Sequence, residues 1–189
     1  MSPPSKPATW SRRQPWPVIV DGGVQALGFK PFPSNFTGSV GTELRWIHRR
    51  WYALHTGLAV GLYKQVQFER AGYLDASLGQ RFTAPFGLYA DLDVIVGGQL
   101  ASVSALTYRA GEDGRLRAAR APVRASARMG LGLGLGFDFA RVSRMPIRVF
   151  ARYRQLVRAP FMVANGVPVM GAATLTGGVA VEIGSWINR

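Results

Sequence analysis

The chain has 189 residues, 23 Lys+Arg against 10 Asp+Glu for a net charge of +13, 48% hydrophobic residues, 23 Gly and no Cys. That length suits one domain with a sizeable core, and the missing cysteines exclude a disulfide framework, a thiolate metal site and a cysteine nucleophile. The basic excess points to nucleic acid or an anionic membrane surface, and no apolar run reaches the 18 residues of a transmembrane helix.

The first element in chain order is a tail. Residues 1–15 are rich in Pro and Ser, carry Lys6, Arg12 and Arg13, and lack the apolar h-region of a secretory signal. They are expected to be flexible, and a signal peptide is expected to have been removed if the protein is exported. From Trp16 to Arg189 the chain is expected to form one domain.

From Val18 onward the dominant period is two, the signature of strands. Two-faced segments recur at Val18–Leu27, Phe36–Ile47, Tyr52–Gln67, Gly72–Phe82, Phe86–Ser102, Val123–Phe139, Ile147–Gln155 and Val169–Gly184. The clearest runs from Val123 to Phe139, where one face reads Val, Ala, Ala, Met, Leu, Leu, Leu, Phe, Phe and the other reads Arg, Ser, Arg, four Gly and Asp. Eight antiparallel strands without intervening helices predict a barrel or a sandwich. A soluble barrel buries its apolar face, whereas a membrane barrel turns that face to lipid and fills its lumen with the polar one.

Three features favour the membrane arrangement. The polar face is rich in glycine, which weakens a solvent-exposed strand but frees space inside a narrow tube. Its charges balance: the acids Asp21, Glu43, Asp75, Asp91, Asp93, Asp138 and Glu182 face the arginines Arg45, Arg81, Arg124, Arg128, Arg148, Arg152 and Arg154. Arginine suits forked pairing with carboxylates where water is scarce, so these residues are expected to form a lumenal salt-bridge network. Finally, Trp16, Trp46, Tyr52, Phe82, Phe86, Phe137 and Phe139 sit on the apolar face at strand ends. Alternating strand directions would collect them at one rim as an interfacial aromatic girdle.

The connections on the girdle side are tight, at His48–Trp51, Thr83–Pro85 and Ala140–Pro146. Those opposite are longer, at Gly28–Asn35, Ser102–Pro122 and Leu156–Pro168, apart from a short turn near Glu69–Ala71. Short periplasmic turns and long outer loops characterise bacterial outer-membrane barrels.

From Trp16 to Trp186 the pattern resembles the small eight-stranded outer-membrane barrels of Gram-negative bacteria, the OmpA transmembrane domain and OmpX type. The resemblance implies an up-and-down transmembrane β-barrel in the outer membrane of the cell envelope.

An eight-stranded lumen is just wide enough for side chains to fill it, so a wide pore is not expected. His55 faces that lumen with no obvious nucleophile beside it, so no catalytic residue, metal or cofactor is assigned. The alternation of Gly130, Gly132, Gly134 and Gly136 with leucine reads as strand and not as a phosphate loop. In the outer loops, Arg109, Arg115, Arg117 and Arg120 are candidate contacts for anionic lipid or lipopolysaccharide phosphates, with Arg158 grouped beside them. Nucleic acid is not expected, because these arginines lack interleaved aromatics on one face. The role expected is non-enzymatic: structural, scaffold or adhesive through the loops, alone or with other envelope proteins. The alternatives are a soluble calycin-like barrel holding a small apolar ligand, and a narrow channel.

Overall fold

A computed structural model describes residues 16–27, 35–65, 69–103, 107–111, 115–119, 123–143, 145–159 and 169–183. The 1–15 tail, the 28–34 and 160–168 connections, Arg120, Arg144 and residues 184–189 lie outside the described residues.

Alternation of apolar and polar residues along each segment produces strands with two distinct faces. They are β1 (Pro17–Leu27), β2 (Asn35–His48), β3 (Tyr52–Gln65), β4 (Glu69–Thr83), β5 (Leu88–Val103), β6 (Thr107–Ala110), β7 (Leu116–Ala119), β8 (Val123–Asp138), β9 (Ile147–Ala159) and β10 (Met170–Glu182). Eight of them close into a barrel in the order β1-β10-β9-β8-β5-β4-β3-β2. Every neighbouring pair is antiparallel, and the barrel closes where β1 meets β10, from Pro17 opposite Glu182 to Leu27 opposite Ala172. Closure removes the edges that an open sheet would leave unpaired. The fold is an up-and-down, eight-stranded transmembrane β-barrel.

The faces are sorted as a membrane barrel requires and a soluble barrel forbids. Val20, Val40, Leu62, Leu74, Val94, Leu131, Leu133 and Leu175 are exposed on the outside. Asp21, Glu43, Asp75, Arg81, Asp91, Asp93, Arg128, Arg148 and Arg154 are buried inside. This arrangement corrects the calycin-like alternative, whose interior would have to be apolar.

Several boundaries differ from the expected ones. The strand β9 continues past Gln155 to Ala159, β3 ends at Gln65, and β4 starts at Glu69, so Glu69–Ala71, expected as a short turn, belong to a strand. The 102–122 connection, expected to be irregular, contains a separate two-stranded hairpin, β6–β7. Its strands are four residues each and rich in alanine, too short to show a period. Phe86 lies in the turn before β5, where Ala84 N–H donates to Leu88 O at 2.7 Å and Gly87 adopts φ +96°. Only glycine takes that left-handed conformation without strain, and a Cβ there would lie 2.8 Å from Asp138 O. In β2 the register slips between Arg45 and Ile47, a bulge that leaves Trp46 outside the backbone register with β3 while its indole N–H donates to Thr56 Oγ1 at 3.0 Å.

Candidate functional site

The barrel offers three regions where function could reside: the lumen, the girdle rim and the loop-bearing rim. In the lumen, strand alternation aims one residue in two at the axis, and the inward residues form layers.

Nearest the loops, Arg158 Nη1 donates to both the Tyr63 hydroxyl and Glu69 Oε1. The Tyr63 hydroxyl donates to Glu69 Oε1 at 2.6 Å and accepts from Gln99 Nε2 at 3.2 Å. Below this, the Arg128 guanidinium lies 4.1 Å over the Tyr73 ring, and its Nε is 3.0 Å from Asp75 Oδ1.

At mid-height, Asp21 accepts from Ser39 Oγ at 2.6 Å and from Arg154 Nη2 at 3.0 Å. His55 Nε2 sits 3.2 Å from Asp93 Oδ1, with both side chains buried. Arg152 spans Asp93 at 3.6 Å and Asp91 at 3.7 Å. The space left between these groups is a cavity of about 40 Å³ bordered by Asp21, His55, Asp75, Asp93, Arg152 and Arg154. It has room for about one to three waters.

Toward the girdle, Arg81 Nη1 and Nη2 donate to the two carboxylate oxygens of Glu43 at 2.9 Å each. The same guanidinium donates through Nε and Nη2 to Asp91 at 2.7 and 3.0 Å. Glu43 also meets Arg45 at 3.0 Å and Arg148 at 3.5 Å, and Arg45 reaches across the β1 seam to Glu182.

Among the described residues, the ion pairs inside the barrel join seven carboxylates to seven arginines. Two members differ from the expected set. Arg124 is exposed at the loop end of β8, and the Asp138 carboxylate accepts from Ala140 N–H, capping the 3-10 turn Phe139–Arg141. Their places are taken by Arg158 and Glu69. Arg158 is therefore a lumenal residue, 1% exposed, and not a loop cation. Continuing the period of two past Gln155 would have found it, since Leu156 and Arg158 are buried while Val157 is exposed.

Glycine makes this filling possible. A Cβ on Gly61 would lie 2.3 Å from Tyr73 Cζ, one on Gly136 2.5 Å from Tyr89 Cζ, and one on Gly178 2.5 Å from Phe150 Cζ. Each ring occupies the space of a missing side chain on the neighbouring strand.

The aromatic residues Trp16, Trp46, Tyr52, Phe82, Phe86, Phe137 and Phe139 all fall at one end, since β1, β3, β5 and β9 start there and β2, β4, β8 and β10 finish there. Two pairs touch: Tyr52 with Phe82 at 5.5 Å between ring centroids, and Phe137 with Phe139 at 5.0 Å. Arg141 Nη2 ties two of the short connections together by donating to Arg50 O at 2.7 Å.

At the other end, the β6–β7 register sets Arg109 opposite Arg117. Arg115 and Arg117 are exposed, together with Tyr108 and Leu116.

These features define a small outer-membrane-type β-barrel with a filled polar lumen. No protein-family model matches the chain, and no curated protein matches it in sequence. Among solved structures it is similar to Neisserial surface protein A (NspA), with a TM-score of 0.62 and 15% identity over 89% of this chain and 97% of that one. It is also similar to Ail, the attachment invasion locus protein of Yersinia pestis, with a TM-score of 0.52 and 12% identity over 89% and 98% of the two chains. Ail in complex with the heparin analogue sucrose octasulfate gives a TM-score of 0.50 at 12% identity, with the same coverage. At these identities the likeness is one of fold.

Proposed function

We propose that this protein is a non-enzymatic outer-membrane barrel whose lumen is structural and whose work is done at its outer surface, as an adhesive or scaffold element. The observation that carries this is the lumen: among the described residues, ion pairs and rings pack it around a cavity of about 40 Å³. Neither solute passage nor catalysis has room there, so contact with partners falls to the exterior. The tight connections mark the periplasmic end and the long ones the cell surface.

The surface feature best suited to contact is the β6–β7 hairpin. It joins Arg109, Arg115 and Arg117 to exposed Tyr108 and Leu116. A polyanion with closely spaced phosphates or sulfates suits such a basic patch, because guanidinium groups bind these anions through forked hydrogen bonds. Lipopolysaccharide phosphates and sulfated glycans both have this chemistry. Support by analogy comes from Ail, a barrel of the same fold whose structure includes a heparin analogue. Arg120 belongs to the same connection and is proposed to add to the same patch.

The test is binding of the folded, detergent-solubilised protein to immobilised heparin and to lipopolysaccharide. Arg115→Ala with Arg117→Ala should lower the salt concentration needed for elution. Unchanged elution would remove the hairpin from this role.

A further inference from the structure

We infer that the barrel's outer wall carries a binding groove for one molecule of an acylated, phosphorylated outer-leaflet lipid of the lipid A class. The inference rests on the outer-membrane placement and is independent of the hairpin.

Two depressions on the outer face, of about 630 and 740 Å³, share Leu62, Gly72 and Leu100 and so form one groove across β2, β3, β4, β5 and β8. Both are shallow and open to the surroundings. Phe36 and Leu74 extend its apolar walls, and Ala125 and Ala127 its floor.

Three outward glycines form the low ground: Gly38, Gly72 and Gly98. Several inward glycines are obligatory, since a Cβ on Gly23 or Gly130 would lie 2.0 Å from a backbone oxygen. The outward three are not. A Cβ there would have nearest neighbours at 3.4 Å for Gly38, 3.5 Å for Gly72 and 4.0 Å for Gly98. Barrel packing requires none of these three, nor the outward Gly22, Gly171 and Gly177 elsewhere on the wall; within the groove, the three leave the wall low between the larger side chains of Phe36, Leu62, Leu74 and Leu100.

The loop-end mouth of the groove is cationic. Lys64 and Arg70 are direct cross-strand partners on β3 and β4, both exposed and both lining it. Like charges placed opposite each other are unfavourable unless an anion lies between them, and among the described residues no acidic one lines the groove. Their height fits a headgroup. Lys64 stands twelve residues along β3 from Tyr52 of the girdle, a rise of about 30 Å at ~3.3 Å per residue and ~40° tilt. That is one bilayer hydrocarbon thickness above the periplasmic girdle, at the level of outer-leaflet phosphates.

An acyl chain in the apolar groove with its phosphate between Lys64 and Arg70 satisfies both halves of the site. A second copy of the barrel does not, because a two-fold contact through this face would bring the two cationic pairs together.

The test is native mass spectrometry of the full chain released from detergent after incubation with deep-rough lipopolysaccharide, with phosphatidylethanolamine as the competing lipid. The wild-type protein should retain one lipopolysaccharide in preference to phosphatidylethanolamine. Lys64→Glu with Arg70→Glu should lower retention about tenfold or more, and so should Gly72→Leu with Gly98→Leu, which fills the groove and leaves the charges. A heat-modifiable gel shift establishes that each variant is folded. Arg115→Ala with Arg117→Ala should retain the lipid as the wild type does, which separates this site from the hairpin. Undiminished retention in folded Lys64→Glu/Arg70→Glu, or equal retention of the two lipids by wild type, overturns the inference.

Discussion

Arg81 and Glu43 face each other across the barrel interior as a two-pronged pair, each guanidinium nitrogen 2.9 Å from its own carboxylate oxygen. They come from β4 and β2, strands separated in the barrel by β3, so the pair braces the wall from inside. Both are buried, and the rest of the girdle-side cluster is assembled on them: Asp91 on Arg81, and Arg45 and Arg148 on Glu43.

Arg81→Ala should therefore destabilise the barrel by about 3–5 kcal/mol, since it removes the forked hydrogen bonds to two buried carboxylates and leaves Glu43 with Arg45 and Arg148 and Asp91 with the more distant Arg152. Glu43→Gln should cost less than the arginine truncation, because Arg81 keeps Asp91. The double variant should lose less than the sum of the two, with a coupling of about 0.5–3 kcal/mol. Urea unfolding in lipid vesicles measures all three.

Glycines of the two faces should respond in opposite ways. Gly136→Ala places a Cβ 2.5 Å from both the Tyr89 ring and Val149 O, and should cost about 1–3 kcal/mol by overpacking. Gly98→Ala meets nothing closer than 4.0 Å and should be neutral, or stabilise by up to ~1 kcal/mol. The same unfolding measurement decides this.

A charge on the outer wall tests which side meets lipid. Leu133, midway along β8, is 58% exposed. Leu133→Arg should lower stability in vesicles by about 2–4 kcal/mol, the cost of a cation near the bilayer midplane. No loss would mean that this face is not in hydrocarbon.

The architecture was legible because a period of two runs almost unbroken through strands such as β8, and because polar and apolar faces cannot be exchanged without exposing charges to lipid. Balanced charge on the polar face was also readable from residue types alone. Membership at the ends of strands was not. Arg158 and Glu69 lie just past the points where the pattern was cut, and Arg124 and Asp138 keep lumenal parity but sit at the rims. Parity assigns a face, whereas depth along the strand decides burial. Pairing partners were equally hidden, since Arg45 with Glu182 and Arg154 with Asp21 depend on barrel closure and not on spacing. The outer groove left only a faint trace, three glycines on a face of leucines, because its shape arises from strands adjacent in space.

The claim that the lumen is filled and structural is tested most directly by single-channel recording of the purified protein in planar bilayers. The ion-paired interior with its cavity of about 40 Å³ predicts a silent membrane across the accessible voltage range. A steady, reproducible conductance from the folded wild-type barrel would contradict it.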